Sequence, residues 1–178
     1  MDSMDREYWR QIVQMARDEA PDGWTHRQVL AGAARAVSGM LSAFCGLAGK
    51  HMLIVQGRAG RGDFEVEREA LDRACYDSVC WIALCCGVAG IDLEPLMSES
   101  AEALKVGDVM AGMWGAAQFA ADDDCWPAEA ALQDEWLSIW LAGSLLFALD
   151  KHRMVCPLRH MRDEMALDLY GSGREPWR

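Results

Sequence analysis

Residues 77–97 read DSVCWIALCCGVAGIDLEPLM, an acid followed by fourteen uncharged residues (78–91) and then the turn Gly90-Ile91-Asp92-Leu93-Glu94. The run carries Trp81, Ile82, Leu84, Cys85 and Val88 and has no Pro or β-branched cluster to favour a strand, so it reads as a buried helix. Asp77 stands at its head. A carboxylate entering an apolar environment costs free energy unless it is paired, which makes Asp77 a candidate functional residue.

The run belongs to a third helix expected over residues 64–88, with Leu71, Cys75, Ser78, Ile82 and Cys85 on one face. Glu65, Glu67, Glu69 and Asp72 lie in its first turns, where acids suit the helix dipole. Upstream, residues 3–18 place Tyr8, Trp9, Ile12, Val13 and Ala16 at helical spacing, and Pro21-Asp22-Gly23 ends that helix. Thr25 with Gln28 three residues later is a capping box, so a second helix runs from His26 to about Leu47. Its Gly32, Gly39 and Gly46 recur every seven residues, each costing about 1 kcal/mol of helix propensity. They suit either the close approach of another helix or a general alanine and glycine bias. Residues 49–62 read as a break: Leu53-Ile54-Val55 extended, then a glycine-rich loop carrying Arg58 and Arg61, a composition suited to a phosphate clamp or simply to a solvated loop. Downstream, Asp92 and Pro95 lead into a fourth helix over 99–120. A fifth, opened by Pro127 and reaching Lys151, is apolar all round over 136–149 and should lie centrally. A short helix over 157–170 closes at Gly171 before a polar tail. The whole is expected to be an all-α bundle of five to six helices in one domain, residues 1–178.

Composition agrees. Of 178 residues 52% are apolar, enough for a real core. The three longest uncharged stretches are fourteen residues each, short of the ~18–20 that cross a bilayer, so no membrane association is expected. The N-terminus lacks the basic-then-apolar pattern of a leader. Seven cysteines with no CxxC pair point to buried free thiols in a reducing cytoplasm rather than to disulfides or zinc. Charge is uneven. Residues 92–135 hold eleven acids against Lys105 alone, a net −10 of the chain's −11. That distribution argues against direct nucleic-acid binding and for metal binding or an acidic surface that meets a basic partner.

The acid at Asp77, the aromatic Trp81 four residues on and the Gly90-Ile91-Asp92-Leu93 turn together resemble the all-α nucleotide pyrophosphohydrolases of the MazG and dimeric dUTPase type. The resemblance implies a MazG-like bundle, a homo-oligomer and Mg²⁺-dependent hydrolysis of (d)NTP to (d)NMP and pyrophosphate. That family supplies its metal with an E-x-x-E pair on one helix and an E-x-x-D pair on the next. Laid on this chain, the last Asp falls on Asp77, its Glu partner falls on Ala74, and the preceding helix offers Ala36, Gly39 and Ser42 in place of acids. A shifted site can be drawn from Glu69 and Asp72, which form an E-x-x-D of their own. Alternatively the halves 1–97 and 98–178 are divergent repeats, with Val106-Gly107-Asp108-Val109 and Glu135 standing in for the acidic helices. On the resemblance, catalysis would fall to Asp77 and Glu69, metal binding to Glu69, Asp72, Asp77, Asp108 and Glu135, and substrate contact to Arg58 and Arg61.

Three function classes follow. The first is the Mg²⁺-dependent hydrolase. The second is a non-catalytic acidic binding or inhibitor protein on the same scaffold, with residues 92–135 engaging a basic or nucleic-acid-binding partner. A third, an assembly protein, would show as a large stable oligomer.

Overall fold

Thr25 decides where the longest helix starts. Its side chain accepts from the Gln28 amide at 3.3 Å while the Gln28 side chain accepts from the Thr25 amide at 2.8 Å, the reciprocal capping box that the sequence foretells. The computed structural model describes residues 3–58, 60–99 and 135–177, and no strand occurs among them. The helices are α1 (Ser3–Asp18), α2 (His26–Val55), α3 (Arg61–Ala89), α4 (Glu94–Glu99), α5 (Glu135–Lys151) and α6 (Pro157–Ala166), the last running into a π-helical turn at Leu167–Ser172. The protein is an all-α bundle. Residues 100–134, and with them most of the expected fourth helix and the start of the fifth, lie outside the described residues.

Three boundaries differ from the sequence reading, one of them at α4, which occupies Glu94–Glu99 where a turn into a helix from residue 99 was expected. α2 continues past Gly49 to Val55, so Leu53-Ile54-Val55 is helical rather than extended. Its end is at Gly57, which takes φ +68° while the Arg58 amide bonds to the Leu53 carbonyl and the Gly57 amide to Ile54, a Schellman closure. A mid-helix glycine weakens a helix by about 1 kcal/mol, and a long packed helix absorbs that. α3 correspondingly starts at Arg61, three residues before the expected Phe64, so Asp77 lies sixteen residues into the helix and heads only its uncharged run. Gly90 ends α3 as expected, at φ +70° with the Ile91 amide on the Cys86 carbonyl.

α3 is the inner rod: it packs against α1, α2, α5 and α6. Its Leu71, Val79, Ile82, Ala83 and Leu84 are fully buried. α5, expected to lie centrally, packs on α3 and α4 and leaves Ile139 43% exposed. α2 is long and apolar enough to cross a membrane by length and composition, and its stripe of Val29, Leu30, Ala33, Val37, Met40 and Leu41 is buried in the bundle core. Of the α2 glycines only Gly32 gives a close approach, to the Trp81 ring; Gly39 has open space beside it and Gly46 meets only the end of Glu67. The tightest backbone contact falls instead at Gly87, where an added Cβ would lie 3.1 Å from the Arg17 Cα of α1. Arg10 of α1 forks onto Glu94 of α4 with two bonds, at 2.5 and 2.6 Å. The tail is not merely polar: Trp177 is 3% exposed.

Candidate functional site

α3 repeats a basic residue four before an acid, Arg68–Asp72 and Arg73–Asp77, a spacing that brings the two side chains together on one helix face. Opposite them the chain leaves α5 through His152-Arg153-Met154, and Pro157, at the first positions of α6, redirects it along α3. A cavity of about 310 Å³ opens between these elements. α3 lines it with Glu69, Asp72, Arg73 and Tyr76, the turn with His152, Arg153 and Met154, and α6 with His160 and Glu164.

Asp72 is the most enclosed of its acids, its side chain 13% exposed. Its Oδ1 accepts from the Arg153 amide at 3.1 Å, and Arg153 Nε stands 2.9 Å from Oδ2 as a charge contact not aligned as a hydrogen bond. Arg68 lies 3.6 Å from Oδ1 and donates to the Lys151 carbonyl at 2.8 Å. Arg73 bridges two further acids, Asp77 at 3.1 Å and Glu164 at 3.2 Å, with its guanidinium over the Tyr76 ring at 4.9 Å. The Tyr76 hydroxyl donates to Asp168 at 3.0 Å. These bonds fasten the end of α5, Glu164 of α6 and Asp168 of the π-helical turn to the inner rod.

Burial pushes the Glu164 and Asp77 carboxyls above their ordinary values, against the pull of Arg73 on both. Burial likewise holds the His152 imidazole below its ordinary value, with Asp72 opposing. His152 Nδ1 accepts from the Met154 amide at 3.2 Å, which assigns the neutral Nε2–H tautomer, and its ring lies 5.5 Å from that of His160. Because the folded state disfavours His152 protonation, this residue's contribution is present above its unfolded value near 6.5 and is lost as pH falls from there through its lower folded value. The raised acids work the other way, stabilising the fold as pH falls through their folded values. The urea midpoint should therefore drop more between pH 7 and 5.5 in the native chain than in His152→Gln; equal drops would remove His152 as the cause.

The candidates from sequence divide as follows. Glu69 and Asp72 line the cleft, Glu69 exposed at its rim. Asp77 does not line it, being turned to Arg73. Arg58 sits exposed just after α2, where its amide closes the helix. Asp108 and the side chains of Arg61 and Glu135 lie outside the described residues. Among the described residues no three His, Cys, Asp or Glu side chains are grouped to hold a metal ion. The surroundings of Asp72 and Asp77 do not fit Mg²⁺ either, since guanidinium groups stand within ion-pair distance of both carboxylates and would repel a divalent cation there. Cys75, Cys80, Cys85 and Cys86 are buried as small hydrophobes, and burial pushes the Cys75 thiol up to about 12, whereas Cys45 and Cys156 are exposed, against the expectation of buried thiols.

Sequence reasoning missed the rest of the lining: Arg73, Tyr76, His152, Arg153, Met154, His160 and Glu164. The spacing His160–Glu164, four apart on one helix with Nε2 and Oε2 3.6 Å apart, was the available signal. Comparison with protein-family models, with curated proteins and with solved structures found no match. Fold and site together define an all-α bundle with a polar cleft between its inner rod and its C-terminal helix.

Proposed function

We propose that this chain is a helical binding protein that offers its acidic segment, residues 92–135, to a basic partner. The observation that carries the reading is the pairing of Asp72 and Asp77 with arginine: of the two acids that a Mg²⁺ site in α3 would use, Asp72 is spent on Arg153 across the cleft and Asp77 on Arg73 within the helix. A segment holding −10 of the chain's charge then remains as the functional resource, and such a field steers a basic surface while competing with phosphates for it. The Mg²⁺-dependent (d)NTP pyrophosphohydrolase is the second reading, favoured by the presence of Glu69 and Asp72 along one cleft.

One pair of measurements on the full chain separates them. A lysine-rich peptide should bind saturably and weaken at least ten-fold as ionic strength rises from about 0.01 M to about 0.15 M, where the Debye length shrinks from ~30 to ~8 Å. A nucleotide panel with Mg²⁺ or Mn²⁺ should release no pyrophosphate above the blank. Pyrophosphate release that disappears in Asp72→Asn and Glu69→Gln would establish the hydrolase instead.

A further inference from the structure

We propose that the cleft between α3, the turn after α5 and α6 is a binding site for a small phosphate oxyanion, either free phosphate or the head of a phosphate monoester. Subtracting the internal bonds leaves donors on Arg153 and His152. Asp72 is occupied by the Arg153 amide and by Arg68 and Arg153, and Glu164 is held by Arg73 and faced by His160 Nε2 at 3.6 Å. Arg153 spends its amide and Nε on Asp72, which leaves the two terminal nitrogens of a half-exposed guanidinium. His152 uses Nδ1 as an acceptor, so Nε2 carries the proton. His160, its ring 5.5 Å from that of His152, lines the same cavity.

A forked guanidinium beside two imidazoles on the rim of one cavity suits a tetrahedral oxyanion, because each can supply a charge-assisted or neutral N–H to a different oxygen. The volume of about 310 Å³ is at the small end of ligand pockets, which run ~300–1,000 Å³. Glu69 at the rim and Glu164, flanked by Arg73 and His160, are the opposing charges. Glu69 sets the sign of one variant's response, since removing it should tighten an anion. The lining residues named above all lie outside residues 92–135 in sequence, and the site stands or falls independently of the partner reading.

The test titrates the full chain with inorganic phosphate and with phenyl phosphate at constant ionic strength, following the His152 and His160 ring resonances and the heat of binding. Saturable binding is expected, with both histidine resonances moving together. Arg153→Lys and His160→Gln should each weaken it at least ten-fold, and Glu69→Gln should strengthen it. His160 is half-buried with Nε2 3.6 Å from Glu164, so the melting temperature is measured beside the affinity, and weakened binding at an unchanged melting temperature in His160→Gln stands even if the Arg153 variant loosens Asp72. Tighter binding of phenyl phosphate would assign a monoester, and equal binding free phosphate. No saturable response, equal affinity in all variants, or equal competition by acetate would overturn the site.

Discussion

Leu84→Ala should lower the stability of the fold by about 2–5 kcal/mol, the range for truncating a fully buried leucine in a packed core. Leu84 is 0% exposed on α3, and α1, α2, α5 and α6 all rest on that helix, so the surroundings have little freedom to close over the missing atoms. For a chain of this length the melting temperature should fall by roughly 4–20 °C, at ~2–4 °C per kcal/mol. Val88→Ala, four residues on in the same uncharged run but only half-buried, supplies the comparison and should cost less. The quantity to measure is the urea unfolding free energy with its slope unchanged. Equal losses at Leu84 and Val88 would mean that α3 is not the rod on which the bundle is built.

The helices were legible because each rests on local chemistry. The Thr25 capping box, the Gly90 stop and the apolar spacing of α1 and α3 act within a few residues, and all three hold in the structure. The end of α2 was not legible for the converse reason. Gly49 and Gly57 look alike in sequence, yet only Gly57 has a residue after it whose amide can reach back five positions to close the helix. Asp77 was singled out by its place before an apolar run, while the partner that neutralises it, Arg73, stands one turn earlier on the same helix. That pairing could have been read from the i,i+4 spacing. The cleft could not: Asp72 meets Arg153 across 81 positions of sequence, and Arg73 meets Glu164 across 91. The sequence contains both members of each pair and no local signal that joins them. Trp177 was missed in the same way, its burial decided by the packing of the bundle rather than by its polar neighbours.

Gly32→Ala should destabilise the protein even though alanine is the better helix former. A Cβ built on Gly32 would fall on Cζ3 and Cε3 of Trp81, far inside van der Waals contact. The ring has little room to yield, because Trp24 stacks on it at 5.5 Å with planes 17° apart and the Arg35 guanidinium lies 6.0 Å from its centroid. Overpacking of this kind costs about 1–3 kcal/mol, and displacing a whole stacked indole belongs at the upper end. It outweighs the ~1 kcal/mol that alanine gains over glycine within a helix. Gly39→Ala on the same helix meets open space and should show that gain alone. The decisive measurement is the double-mutant cycle with Trp81→Ala. Once the indole is gone, Gly32→Ala should turn from destabilising to stabilising by up to ~1 kcal/mol, because only the propensity difference remains. A loss of the same size in both backgrounds would show that Gly32 is required for its backbone rather than for the ring that lies on it.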